Sequence, residues 1–107
     1  MPREDRRIIF SFDEAYKAVY SLCVQKEIKK PPPGNIAAAV IDPDDKNKLI
    51  LTINNMQENT VREMTYSRDF LAAALLLYCR SQNIPVSKRA TKSVELKADS
   101  VILRLVI

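Results

Sequence analysis

Residues 68–82 read RDFLAAALLLYCRSQ, and the way this stretch must be covered decides how the rest of the chain is read. It is rich in Ala and Leu, both strong helix formers. Ser67 stands before it as an N-cap, with Asp69 in the first turn, where the helix dipole favours a carboxylate. Asn83 and Pro85 end it. At 100° per residue, Phe70, Leu71, Leu75, Leu76, Leu77 and the neighbouring Ala, Tyr78 and Cys79 cover about 260° of the circumference. A helix lying on one sheet needs an apolar stripe of little more than ~100°. The excess must therefore be buried against a second helix or against a partner chain.

The second helix that this requires starts at Ser11. Glu14, three residues later, completes a capping-box pattern, and Ala15, Ala18, Val19, Leu22 and Cys23 recur at helical spacing through about Lys26. The run KKPPPGN follows, and its three prolines are expected to stop the helix. The remaining segments read as strands: RRIIFSF (6–12), IAAAVI (36–41), KLILTI (48–53), TVREMTY (60–66), KSVEL (92–96) and SVILRLVI (100–107). DPDDKN between the second and third carries the acids and proline of a turn. The expected fold is α+β: an antiparallel-rich sheet of about six strands with two helices on one face, in the order β-α-β-β-β-α-β-β.

That order repeats. A shift of 56 residues pairs Arg6 with Arg62, Ser11 with Ser67, Asp13 with Asp69, Ala18 with Ala74, Cys23 with Cys79 and Ile28 with Ile84. Two readings fit: a tandem βαββ duplication with halves 6–53 and 62–107, or two similar strand–helix units in one domain spanning 1–107.

Composition removes many chemistries. The 107 residues contain no His, which excludes Ser–His and Cys–His nucleophilic pairs and His-ligated metals. A lone glycine, Gly34, cannot build a dinucleotide or P-loop phosphate cradle. Cys23 and Cys79 have no zinc-site spacing and sit on apolar helix arcs, where a thiol acts as a small hydrophobe. The acidic turn has neither the glycine nor the terminal Glu of a calcium loop. Neither a cofactor nor a metal site is expected. The longest apolar run, Phe70–Tyr78, is far shorter than the ~20 residues that span a bilayer. The N-terminal MPREDRR does not read as an export signal, so a cytoplasmic protein without membrane association is expected.

Two features carry functional expectations. The basic residues Lys29, Lys30, Lys88, Arg89 and Lys92 follow the two helices and are candidate anion-binding residues. Arg80 to Lys97 alone holds five cations and one Glu, against a net charge of +4 for the whole chain. Helix-dipole stabilisation of cations at helix C-termini accounts for part of both clusters. The apolar excess of the second helix makes Phe70, Leu71, Leu75, Leu76 and Leu77 candidate interface residues. The leading expectation is a small non-enzymatic protein-interaction module, self-associating as a homodimer. Binding of nucleic acid or another polyanion through the basic loops is the alternative, although no aromatic lies between Cys79 and Ile107 to stack on bases.

Overall fold

The structure, a computed structural model, describes residues 3–107. The first two residues of the stretch read for an export signal lie outside them. Strand β1 (Asp5–Ser11) runs directly into helix α1 (Phe12–Gln25). Strands β2 (Asn35–Ile41), β3 (Lys48–Asn55) and β4 (Thr60–Ser67) follow, and β4 runs directly into helix α2 (Arg68–Ser81). Strands β5 (Thr91–Leu96) and β6 (Ser100–Val106) complete an α+β fold in the order β-α-β-β-β-α-β-β.

Serine chemistry sets both strand-to-helix transitions. The Ser11 hydroxyl accepts the Glu14 N–H at 3.2 Å, and the Glu14 carboxylate accepts the Ser11 N–H at 3.0 Å, a complete capping box. The Ser67 hydroxyl accepts the Phe70 N–H at 3.0 Å, without a returning acid. Ser11→Ala and Ser67→Ala are each expected to cost about 0.5–2 kcal/mol, read as a lower denaturation midpoint.

Both helices also stop by one device. Glu27 and Asn83 take left-handed φ values of 56° and 57°. The next amides, of Ile28 and Ile84, then reach back to the carbonyls of Cys23 at 3.0 Å and Cys79 at 2.8 Å, the Schellman closure. The expected stop at the prolines is therefore corrected. The α1 backbone has already turned at Glu27, and Pro31–Pro33 belong to the loop beyond it. The cysteines and isoleucines shared at a spacing of 56 are the residues at the two ends of these closures.

The six strands divide into two antiparallel three-stranded sheets, β1-β6-β5 and β2-β3-β4. Each half of the chain lends its opening strand to the other. β1 pairs with β6 from Asp5↔Val106 to Ser11↔Ser100, and β4 pairs with β3 from Lys48↔Ser67 to Asn55↔Thr60. β2 and β5 approach each other without a hydrogen-bonded ladder. Arg68 ties this seam: its guanidinium donates to the Val94 carbonyl of β5 at 2.8 Å and to the Lys46 carbonyl in the β2–β3 turn. In that turn, the carboxylates of Asp42 and Asp45 accept the amides of Asp44 and Asn47, each at 2.9 Å.

The core lies between the helices and the inner sheet faces. Leu49, Leu51 and Ile53 of β3 and Val101, Leu103 and Leu105 of β6 alternate inward and are buried against α1 and α2. Fully burying such a side chain stabilises by about 1.5–3 kcal/mol. A bulge between Ile36 and Ala38 shifts the β2 register, so that Ile36 opposite Ile53 and Ala39 opposite Leu51 both belong to the core side.

Among the described residues, one buried side-chain polar group has no partner. Tyr66, on β4 opposite Leu49, stacks on Phe70 with ring centroids 5.2 Å apart, and its buried hydroxyl makes no hydrogen bond. Burial, with smaller contributions from Cys23 and Tyr16, pushes the phenol from its ordinary 10.0 up to about 12. Because the folded pKa is raised, this preference for the neutral phenol stabilises the fold below pH 10 and is lost as pH rises toward 12. The buried thiols of Cys23 and Cys79 are raised by the same cause and act in the same direction. Tyr66→Phe removes the unsatisfied group. It is expected to leave stability unchanged or raise it by about 1 kcal/mol, and to delete the last phenol to ionise in an absorbance titration. A loss of stability would instead reveal a hydrogen bond to water at the hydroxyl.

Candidate functional site

The five apolar candidates separate by position on α2. Leu71 and Leu75 are 0% exposed and belong to the chain's own core. Their candidacy as interface residues is corrected: α1 and the sheets already enclose them, so they have no surface to offer a partner. Phe70 is half-buried over Tyr66. Leu76 and Leu77 are half-buried and keep a face toward solvent.

That face lines a groove. Leu76, Leu77, Ala73 and Arg80 of α2 and Leu22 and Lys26 at the end of α1 surround a hollow of about 380 Å³. Leu76 and Arg80 also wall a second hollow of about 360 Å³, whose far side is Ile84, Val86, Lys88 and Lys92. The two hollows adjoin, with Leu76 and Arg80 as their common wall. Their floor is aliphatic, and their rim carries Lys26, Arg80, Lys88 and Lys92 with no carboxylate among the lining residues.

Local chemistry explains the placement. The Schellman closure after α2 turns the chain back so that Ile84 and Val86 run beside Leu76. Lys92 donates its ammonium to the Ala90 carbonyl at 2.9 Å, which holds its stem along the groove. The ion pairs among the described residues lie elsewhere, on the outer face of the β1-β6-β5 sheet. There Arg104 binds Asp5 at 2.7 Å, while Arg104 and Arg7 each stand 3.7 Å from Glu95. The hydrogen bond from Arg104, more than its charge, holds the Asp5 carboxyl below the usual carboxylate range. The four rim cations have no such partners among the described residues.

The five basic candidates are not gathered into one site. Lys88 and Lys92 line the groove. Arg89 is exposed in the loop, where its amide donates to the Ser87 hydroxyl at 3.2 Å. Lys29 is exposed, and the Lys30 ammonium lies over the Tyr20 ring, 5.6 Å from its centroid. Lys26 and Arg80 complete the rim; the sequence placed Lys26 in the basic cluster after the first helix and Arg80 at the head of the second, but neither is among the five candidates. Their signal was present in Arg80, which follows the apolar arc at its Leu76 edge, and in Lys26 at the α1 C-cap.

A second apolar surface lies on α1. Tyr20 and Val24, one turn apart on α1, are 39% and 49% exposed, and Ile28, beyond the closing turn of the helix, is 46% exposed. No helix among the described residues is long and apolar enough to cross a membrane. No protein-family model, curated protein or solved structure matches the chain.

Proposed function

We propose that this protein is a non-enzymatic protein-interaction module that makes its contact through the groove over its two helices. The observation that supports this reading is the meeting of the two candidate classes at one place. Leu76 supplies apolar surface beside Lys88 and Lys92 in one hollow and beside Leu77 in the adjoining one, each of the size that takes side chains of a partner. The unbridged thiols of Cys23 and Cys79 accord with a reducing compartment such as the cytoplasm.

Selection from displayed random peptides tests the reading. Sequences that enrich on the protein should lose binding when Ala73→Phe fills the groove, with the fold intact by circular dichroism. Absence of any enriched sequence, or enrichment indifferent to Ala73→Phe, rejects the groove as a contact surface.

Self-association is a second reading, and the exposed line of Tyr20 and Val24 on α1, with Ile28 beyond its closing turn, favours it. A two-fold arrangement would set this line against its copy. Light scattering should then give twice the 12.2 kDa chain mass, and Val24→Glu, on an exposed position, should restore 12.2 kDa without unfolding. A mass of 12.2 kDa at millimolar concentration rejects the homodimer.

A further inference from the structure

Resting on the reading of the groove as a contact surface, we infer that its occupant is a short acidic amphipathic segment of another protein. Such a segment would set apolar side chains on Leu22, Leu76, Leu77, Ile84 and Val86 and carboxylates against Lys26, Arg80, Lys88 and Lys92.

Charge complementarity selects this occupant. Four cations border the two adjoining hollows and no acid lines either one. A concave, low-dielectric wall strengthens their field and favours a partner of opposite sign. The floor requires apolar anchors as well, so a uniformly charged chain leaves it in water. Both hollows lack an aromatic residue, and single-stranded nucleic acid binds by stacking its bases on rings. A second copy does not fit, because two-fold packing of this face would bring the same four cations together. The exposed apolar residues of α1 do not supply an acidic face either: Lys17 lies beside Tyr20, the Lys30 ammonium stands over its ring, and Glu27 is the one acid between Val24 and Ile28. Spacing of apolar residues by three and four on one helical face would place anchors in both hollows.

The probe is a synthetic peptide of about four helical turns, with Leu at helical spacing and Glu or Asp elsewhere, followed by fluorescence anisotropy. Binding at about 10 μM or tighter in low salt is expected, weakening as salt rises. Arg80→Glu with Lys88→Glu should weaken it about tenfold or more, and both sites are exposed, so the variant should fold. Leu76→Ala should weaken it several-fold at unchanged salt dependence. A peptide of the same composition in shuffled order, polyglutamate, mixed-sequence duplex DNA and anionic phosphatidylglycerol vesicles are run beside it. Equal binding by the shuffled peptide or polyglutamate overturns the inference, as does tighter binding by DNA or vesicles. DNA binding lost in the charge-reversal variant would assign the cations to a polyanion instead. If selected peptides occupy the groove but are not acidic, this inference fails and the proposed function stands. If no peptide of any kind is displaced by Ala73→Phe, both fail.

Discussion

Leu75→Ala is expected to lower stability by about 2–5 kcal/mol, a large share of the 5–15 kcal/mol typical of a domain. Leu75 is 0% exposed, on the face of α2 that joins the core with Ala74, Leu71 and Cys79. Trimming its isobutyl group to a methyl forfeits the transfer energy of three carbons and leaves a cavity that a core fastened by two sheets closes only in part. Urea denaturation at two protein concentrations separates core from interface. A core leucine gives the same loss at both, whereas an interface leucine gives a midpoint that moves with concentration. Leu76→Ala, at a half-buried position beside the groove, should cost about 1 kcal/mol, because part of its surface is already in water. Equal losses at the two sites would place Leu76 in the core and remove it from the groove.

Gly34→Ala is expected to cost about 2–4 kcal/mol, two effects adding. Gly34 has φ 141°, a conformation that a side chain makes strained. An added Cβ would also stand 2.5 Å from the Asn54 carbonyl oxygen and 2.9 Å from its carbon. Those are backbone atoms of β3 and cannot rotate aside, so the Asn35↔Asn54 end of the β2–β3 pairing must open. Hydrogen exchange should show lost protection at that end of the hairpin, with the β1–β6 pairing less affected. An unchanged midpoint would mean that the chain before β2 can leave β3 without consequence.

Much of this fold was legible because its signals are local. Ser11 with Glu14, and Ser67 with Asp69, mark helix starts through groups within one turn, and the structure places both caps there. The order of elements follows from periodicity in the same way. The Cys23/Cys79 and Ile28/Ile84 identities carried a meaning that the sequence reading missed: each pair spans the closure of a helix. Glu27 concealed that closure, because a glutamate in the left-handed region is not a residue that sequence rules expect.

The sequence by itself determined the local grammar: two capped helices, six strands, an aliphatic core, and the absence of histidine chemistry. It also determined that α2 had more apolar surface than one sheet could cover. Only the tertiary structure decided where that surface went. β1 and β4 exchange between the halves, and the helices pack together over the inner faces of two sheets. Leu71 and Leu75 are enclosed there, while Leu76 and Leu77 are left to a groove. The bulge at Ala37, the seam tied by Arg68 and the meeting of Arg80 with Lys88 and Lys92 are likewise tertiary outcomes. The reason is that each depends on contacts between residues distant in the chain, and a periodic pattern names a face without naming what will cover it.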